Sequence, residues 1–600
     1  MKKSIGIGVI RRKHQKIPST QSRGYVMVLT LLLSSYVVVC ISACTGEGRN
    51  PASNLAAAQS ADSNAATTPA RPAVFLETKY PQPGGRTISV TGTGDAATRA
   101  FQAALDSARS GDVIAIEPGS IITGNFVLPN KLGTGWTVVR SSSADGKLPA
   151  PGNRVKPTDA VAMPKLVTPN ADPVIRTASG AHHYRFVGIE FTIAPGWEVN
   201  HGLILFGDGG RAQDSQATVP HDLIIDRCYL HGNAEVNLRR AVALNSAATA
   251  IVDSHISDIH EAGADSQALC GWNGPGPFKI VNNYLEAAGE NVMFGGADPS
   301  IPNLVPSDIE FRQNFCAKPL SWMRQHSSYA GKPWSVKNLF ELKNARRAII
   351  DGNLFENNWV DGQSGFAILF TVRNQDGSAP WSAVEDIAFT NNIVRHTAAG
   401  VNFLGRDDNH PSQQVRRVLI ANNLFDDVGS KQWGSNGRFL QITDCLDVTI
   451  DHNTAFHTGN IITAYGAPTR GFVFTNNIVP HNEYGIIGDG AGIGNPTLEK
   501  YFPGGVFKKN VIAGGRNSIY PGDNFFPATM DAAKFADRTG GSYGLSDSSP
   551  YKKAGTDGKN IGCNIDALKT ASGSSPTPVR MTGRKTTNGR QASNILARAR

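Results

Sequence analysis

Paired cysteines are what this sequence most clearly lacks. Its seven cysteines are Cys40, Cys44, Cys228, Cys270, Cys316, Cys445 and Cys563, and none has CxxC spacing. A zinc site or redox motif built on paired cysteines is therefore not supported. With the first two set aside, five remain, an odd number that cannot all pair internally. They are expected to be small buried residues. Charge is sparse too: 18% of residues are charged and 8% aromatic, against 40% hydrophobic. That apolar share excludes wholesale disorder. Acidic residues are missing altogether from residues 1–44 and from the tail after Asp566. Each of these ends carries +7, so of the chain's net +9 the body, 45–566, keeps −5. An acidic body argues against a nucleic-acid partner.

Several catalytic signatures are also missing. His260-Glu261 is not HExxH, because Ala264 stands at the second histidine position. GQSGF (362–366) lacks the glycine spacing of a GxSxG elbow, and GDGAGIGN (488–495) has no lysine for a phosphate loop.

What is present begins with a basic stretch, an apolar run from about Tyr25 to Val39, and then Ile41-Ser42-Ala43-Cys44. That order is the signature of a signal peptide. Small residues before a cysteine resemble the bacterial lipobox, so 1–44 reads as a signal peptide with lipidation at Cys44. An uncleaved membrane anchor is the alternative. Both place the body outside the cytoplasm: an outer-membrane or cell-surface lipoprotein, otherwise a periplasmic or secreted protein. Residues 45–75 read as a flexible linker and 567–600 as a basic disordered tail.

The strongest positive signal is a repeat. Units such as LIIDRCYL (223–230), KIVNNYLE (279–286), AIIDGNLF (348–355), IAFTNNIV (387–394) and FVFTNNIV (472–479) share one pattern. Apolar residues alternate, a polar pair ends in Asn, and apolar residues resume. The position of that Asn reads Cys228, His255, Asn283, Asn314, Asn353, Asn392, Asn423, Asn453, Asn477 and Asn510. Alternation with β-branching makes a strand with one buried face. Asn tolerates the left-handed backbone of a sharp bend, and stacked Asn side chains can bond one another. A unit of a few dozen residues is one coil of a parallel β-helix, in which 600 residues extend a core lengthwise. The chain thus resembles the right-handed parallel β-helix proteins of the pectin-lyase-like superfamily over about 76–566. Residues Thr98–Ser107, with Phe101, Leu105 and Ala108 on one face, read as an amphipathic capping helix. After it nothing but strands is expected.

The resemblance implies that an active groove lies on the first strand of each coil and on the loop before it. Those strands read ENVMFGG (290–296), VKNLFELK (336–343), GFAILFTVRN (365–374) and GVNFLG (400–405). Alternation turns Val292, Phe294, Asn338, Phe340, Leu342, Phe366, Ile368, Phe370 and Val372 inward. It turns Asn291, Met293, Lys337, Glu341, Lys343, Thr371 and Arg373 outward. The mixture of acids, bases and indoles on this face suits an acidic polysaccharide. Lys337, Lys343, Arg373 and Lys318 are the candidate catalytic residues. Trp272, Trp322, Arg324, Gln267, Asn291 and Glu341 are the candidate substrate contacts. Asp265 and Glu290 are the candidate ligands of a Ca²⁺ ion. Together they point to a Ca²⁺-assisted lyase acting by β-elimination, which needs a base and neutralisation of a carboxylate. TIDHNT (449–454) is faintly similar to the calcium motif of pectate lyases, but the arginine-bearing partner motif is missing. The aspartate pair and His-Gly motifs of polygalacturonases are missing too, which disfavours hydrolysis by their route. The alternative is a non-catalytic glycan-binding or adhesion protein whose outer face is a charge-paired sheet.

Overall fold

Short alternating strands follow one another around the chain in a fixed rota of three. The computed structural model describes residues 68–573. The leader, Cys44, the first part of the linker and the tail beyond 573 lie outside them. Within them, sheet A has 14 strands, sheet B 13 and sheet C 12, and each strand pairs in parallel with its equivalent one coil away. One coil runs C, A, B, as in Arg240–Leu244, Ala247–Val252 and His255–Ile259. Parallel crossovers of this kind are right-handed. The fold is a right-handed parallel β-helix. No described helix is long and apolar enough to cross a membrane.

The core is the inward column of each sheet. In sheet C, Val292, Phe340, Ile368 and Val401 fall in register on successive rungs, all fully buried. All five described cysteines are buried free thiols, as expected.

The Asn ladder runs along the A-to-B bend. The Asn392 side chain accepts from the Asn353 backbone N–H (2.9 Å) and donates to Ile350 O (2.9 Å) and Asn423 Oδ1 (3.1 Å). The same bonds repeat from Asn283 to Asn510, and Asn524 extends the column. Two corrections follow. The position read as His255 belongs to Ser254, whose Oγ accepts from Cys228 N–H (3.1 Å), because His255 already opens the sheet B strand. The left-handed residue is the one before each ladder Asn, such as Asn282 (φ 58°) or Asn391 (φ 56°). Replacing Asn392 by Ala strands a buried N–H and a buried C=O, each costing about 1–3 kcal/mol. We expect Asn392→Ala to lower stability by about 2–3 kcal/mol, read as a fall in the urea midpoint.

Helix α1 (Gly94–Ser107) closes the first coil and begins four residues before its sequence-based start. Phe101 and Leu105 are fully buried, and Phe101 meets Phe126 edge-on at 4.7 Å. The expectation of strands alone afterwards fails. Helix α2 (Asn495–Tyr501) brings Tyr501 to the last coils, and α3 (Ile565–Ala571) covers the outer side of sheet B with Leu568. Helix α3 therefore occupies the first residues of the expected disordered tail.

The end of the expected linker is also ordered. Residues 70–80 lie along the outer face of sheet A. Ala70 N–H donates to Asp386, Ala73 N–H to Asp308, Leu76 O accepts from Lys279, and Lys79 O from Arg185. Contacts every three residues are the period of a polyproline-type chain. Nine residues at about 3.1 Å each span about 28 Å, close to six rungs at about 4.8 Å.

Candidate functional site

Sheet C starts each strand at a corner, and the corner breaks the pleat. Leu339 and Ala367 join the main core, although alternation assigned the inward place to their neighbours. Asn338 and Phe366, expected inside, therefore face out. Asn338 Nδ2 donates to Glu341 Oε2 (3.0 Å), and Phe366 packs on Leu369 and Ala399 outside the core. Asn291, expected outside, turns in, and its Nδ2 bonds Leu285 O (2.7 Å) and Ala317 O (2.9 Å).

Lys318 is corrected by the same corner. It is fully buried, and its ammonium donates to Ala287 O (2.8 Å), Ala288 O (2.9 Å), Gly289 O (2.9 Å) and Asn291 Oδ1 (3.0 Å). Burial pulls its pKa down to about 7, with Glu290 opposing. Four acceptors hold the amine as a donor inside the wall, out of reach of a substrate. Trp322 is likewise taken out of the groove. It is buried at the B-to-C corner with Trp334, Trp359 and Trp433, edge-on to His260 at 5.3 Å. Trp272 is half-buried, its Nε1 bonded to Gly209 O (2.8 Å) with the Arg240 guanidinium 5.3 Å above its ring. Arg324 is exposed on the insertion before the Asn338 strand.

The remaining candidates fall into two neighbouring groups on the outer face of sheet C. In the first, Gln267, Glu290 and Asn338 occupy one column on three successive rungs. Gln267 Nε2 donates to Glu290 Oε2 (2.8 Å). Lys337 pairs with Asp265 and stands 3.7 Å from Glu290 Oε1. Burial alone would lower the Lys337 pKa, but Glu290 and Asp265 outweigh it and keep it raised. An amine held protonated is a poor base, so Lys337 suits charge neutralisation instead. Burial, then Glu341 and Asp265, push the Glu290 carboxyl up to about 7.

Gln267 Oε1, Glu290 Oε1 and Asn338 Oδ1 are buried and accept no hydrogen bond. Three orphaned oxygens on adjacent rungs, with Asp265 alongside, are the hard-oxygen chemistry that Ca²⁺ takes. Lys337 is the competing cation, since it already pairs with both carboxylates. The residues fit the ion in kind.

The second group lines an open pocket that begins on the Asn338 coil and runs on over the following coils. Lys343 and Arg373 follow equivalent strands, and Arg373 N–H donates to Lys343 O (2.9 Å), so the two side chains stand on adjacent rungs. Lys343 Nζ lies 3.6 Å from Glu341 Oε1, which also accepts from Thr371 Oγ1 (3.3 Å). Arg373 is braced by Asp407 (2.9 Å) and Asp408. Phe366 and Leu369 give the pocket an apolar floor, and Tyr465 walls it. Burial, then Asp408, raises the Tyr465 pKa, so the phenol keeps its proton. The sequence reading missed Tyr465 because it followed sheet C only as far as residue 405. The same alternation carried to the strand Ile462–Ala464 leads directly to it.

No family model matches this chain, and no curated protein matches it. Solved structures do. The PL6 family alginate lyase AlyGC is 12% identical with a TM-score of 0.40, over 79% of this chain and 58% of its own. A tailspike protein mutant of E. coli bacteriophage HK620 in complex with pentasaccharide is 12% identical with a TM-score of 0.44, over 75% and 64%. The catalytic unit of a GH87 alpha-1,3-glucanase from Streptomyces thermodiastaticus is 13% identical with a TM-score of 0.39, over 76% and 72%. The chain thus spans less than two thirds of the length of the first two.

Proposed function

We propose that this is an exported polysaccharide lyase that cleaves acidic, uronate-containing chains by β-elimination in the sheet C groove. The observation that carries the reading is the pairing of Lys343 and Arg373 on adjacent rungs of one open pocket, over an apolar floor and beside Tyr465. A guanidinium held rigid by two carboxylates is suited to a uronate carboxylate. An apolar floor suits a sugar face.

In this reading the Lys343 amine takes the proton from the carbon next to the uronate carboxylate. That electron pair forms a carbon–carbon double bond, the glycosidic C–O bond breaks, and the leaving oxygen takes a proton from water. Arg373 and Lys337 lower the cost of negative charge on the carboxylate as the proton departs. A calcium ion held by Glu290, Asp265 and the Gln267 and Asn338 amide oxygens would add to that neutralisation when bound.

A panel of polyuronates, followed by the ultraviolet absorbance of the unsaturated product, tests the reading. We expect absorbance to grow on at least one polyuronate. Chelation should slow the reaction by about 10-fold or more, with calcium restoring it, in line with the loss of a neutralising metal. Undiminished rates in chelator would assign the neutralising charge to Arg373 and Lys337 without a metal. Binding without product across the whole panel would make the chain a glycan-binding protein.

A further inference from the structure

Sheet A carries a cluster of imidazoles far along the chain from the groove residues. Strands His182–Val187 and His221–Asp226 are adjacent rungs, with His182 in register with His221. His183 (φ 58°) and Asp222 (φ 53°) both take the left-handed backbone conformation. A left-handed residue breaks the alternation of a strand, so two consecutive side chains on each rung project from the same outer corner. His183, His221 and Asp222 each offer one ligand atom, and the three atoms lie within 4.8 Å of one another. His221 Nδ1 is 2.6 Å and His183 Nδ1 3.9 Å from Asp222 Oδ2. A fourth imidazole nitrogen, His182 Nδ1, stands 2.8 Å from His183 Nδ1.

The rest of this column shows what an ordinary pair looks like here. Further along, the left-handed positions are Asp308 beside Arg347 and Asp386 beside Arg417, each a carboxylate facing a guanidinium. Those pairs need nothing more. At the histidine rungs three imidazoles surround one carboxylate, and two of their nitrogens face each other at hydrogen-bond distance. Trp136 packs against the His183 ring at 5.4 Å and limits its movement.

The geometry points to a zinc-class transition-metal site formed by His183, His221 and Asp222, with His182 as a fourth donor or as the partner that orients His183. Imidazole and carboxylate together are the ligands of Zn²⁺ and related divalent ions. This inference is independent of the polysaccharide reading.

The test uses the untagged full chain, stripped with chelator and dialysed against dilute ZnCl₂, with bound metal measured by elemental analysis and isothermal titration. We expect one zinc per chain with a raised melting temperature. The double variant His221→Ala, Asp222→Asn should bind at least about 10-fold more weakly. These side chains are 42% and 35% exposed, so the variant should melt with the wild type in chelator. His183→Gln provides a second, smaller change with the same expected loss. Zinc uptake equal to wild type in both variants, or no uptake by the wild type, overturns the site.

Discussion

Lys343→Ala is expected to reduce the turnover of a uronate-containing polymer by about 10²–10⁴-fold, the usual contribution of a positioned base. Lys343 lies just beyond its strand, and its nearest charged partner is Glu341 at 3.6 Å. Cutting the side chain back leaves the rung pairing intact, because the Arg373 bond to residue 343 is made by the backbone carbonyl. The fold and substrate affinity should therefore survive, with the loss in kcat rather than KM. Lys337→Ala should behave differently. It removes the charge beside Asp265 and Glu290, so its effect should shrink when calcium is added. Full activity in Lys343→Ala would remove the amine from the chemistry and assign the base to another residue of the groove.

Lys318→Met is expected to produce the largest loss of stability. Methionine approximates the length of lysine but donates nothing. Three backbone carbonyls and Asn291 Oδ1 would lose their shared donor inside the wall. At about 1 kcal/mol each, the low end for unsatisfied buried groups, the cost is about 4 kcal/mol. Urea unfolding should show it as a lowered midpoint. The solenoid transmits damage mainly to neighbouring coils, so hydrogen exchange should rise first around 285–291 and 315–318. A wild-type midpoint would mean that water satisfies these carbonyls. The two lysines separate cleanly: one variant should lose chemistry and keep its fold, the other the reverse.

The architecture was legible because the repeat writes the same physical demand many times. One strand face is apolar, one Asn sits at the bend, and each copy reinforces the others. The outward places of Lys343 and Arg373 followed from alternation alone. The corner residues did not. Leu339 and Phe340 are consecutive, both apolar and both inside, and a two-residue period has no means of expressing that. The same limit misplaced Asn291 and Asn338. Lys318 read as a catalytic candidate because nothing local reveals the carbonyls at 287–289 that surround its amine. The His183–Asp222 contact joins residues 39 apart and becomes visible only once the rungs are stacked in register.

The strip of chain on sheet A gives the molecule a mechanical polarity. It runs from the Asp386 coil back toward the coil of Arg185, opposite to the direction in which coils are added. At Ala70 the chain therefore lies beside the Asp386 coil and not at the capped end. A pull applied at Ala70 loads its bond to Asp386 and then the Ala73 bond to Asp308 before tension reaches α1. The coils beneath the strip are shielded from force in the way a bracket shields the end of a beam. Under such a pull, detachment of the strip is expected to precede loss of the cap, a first rupture that force spectroscopy would read.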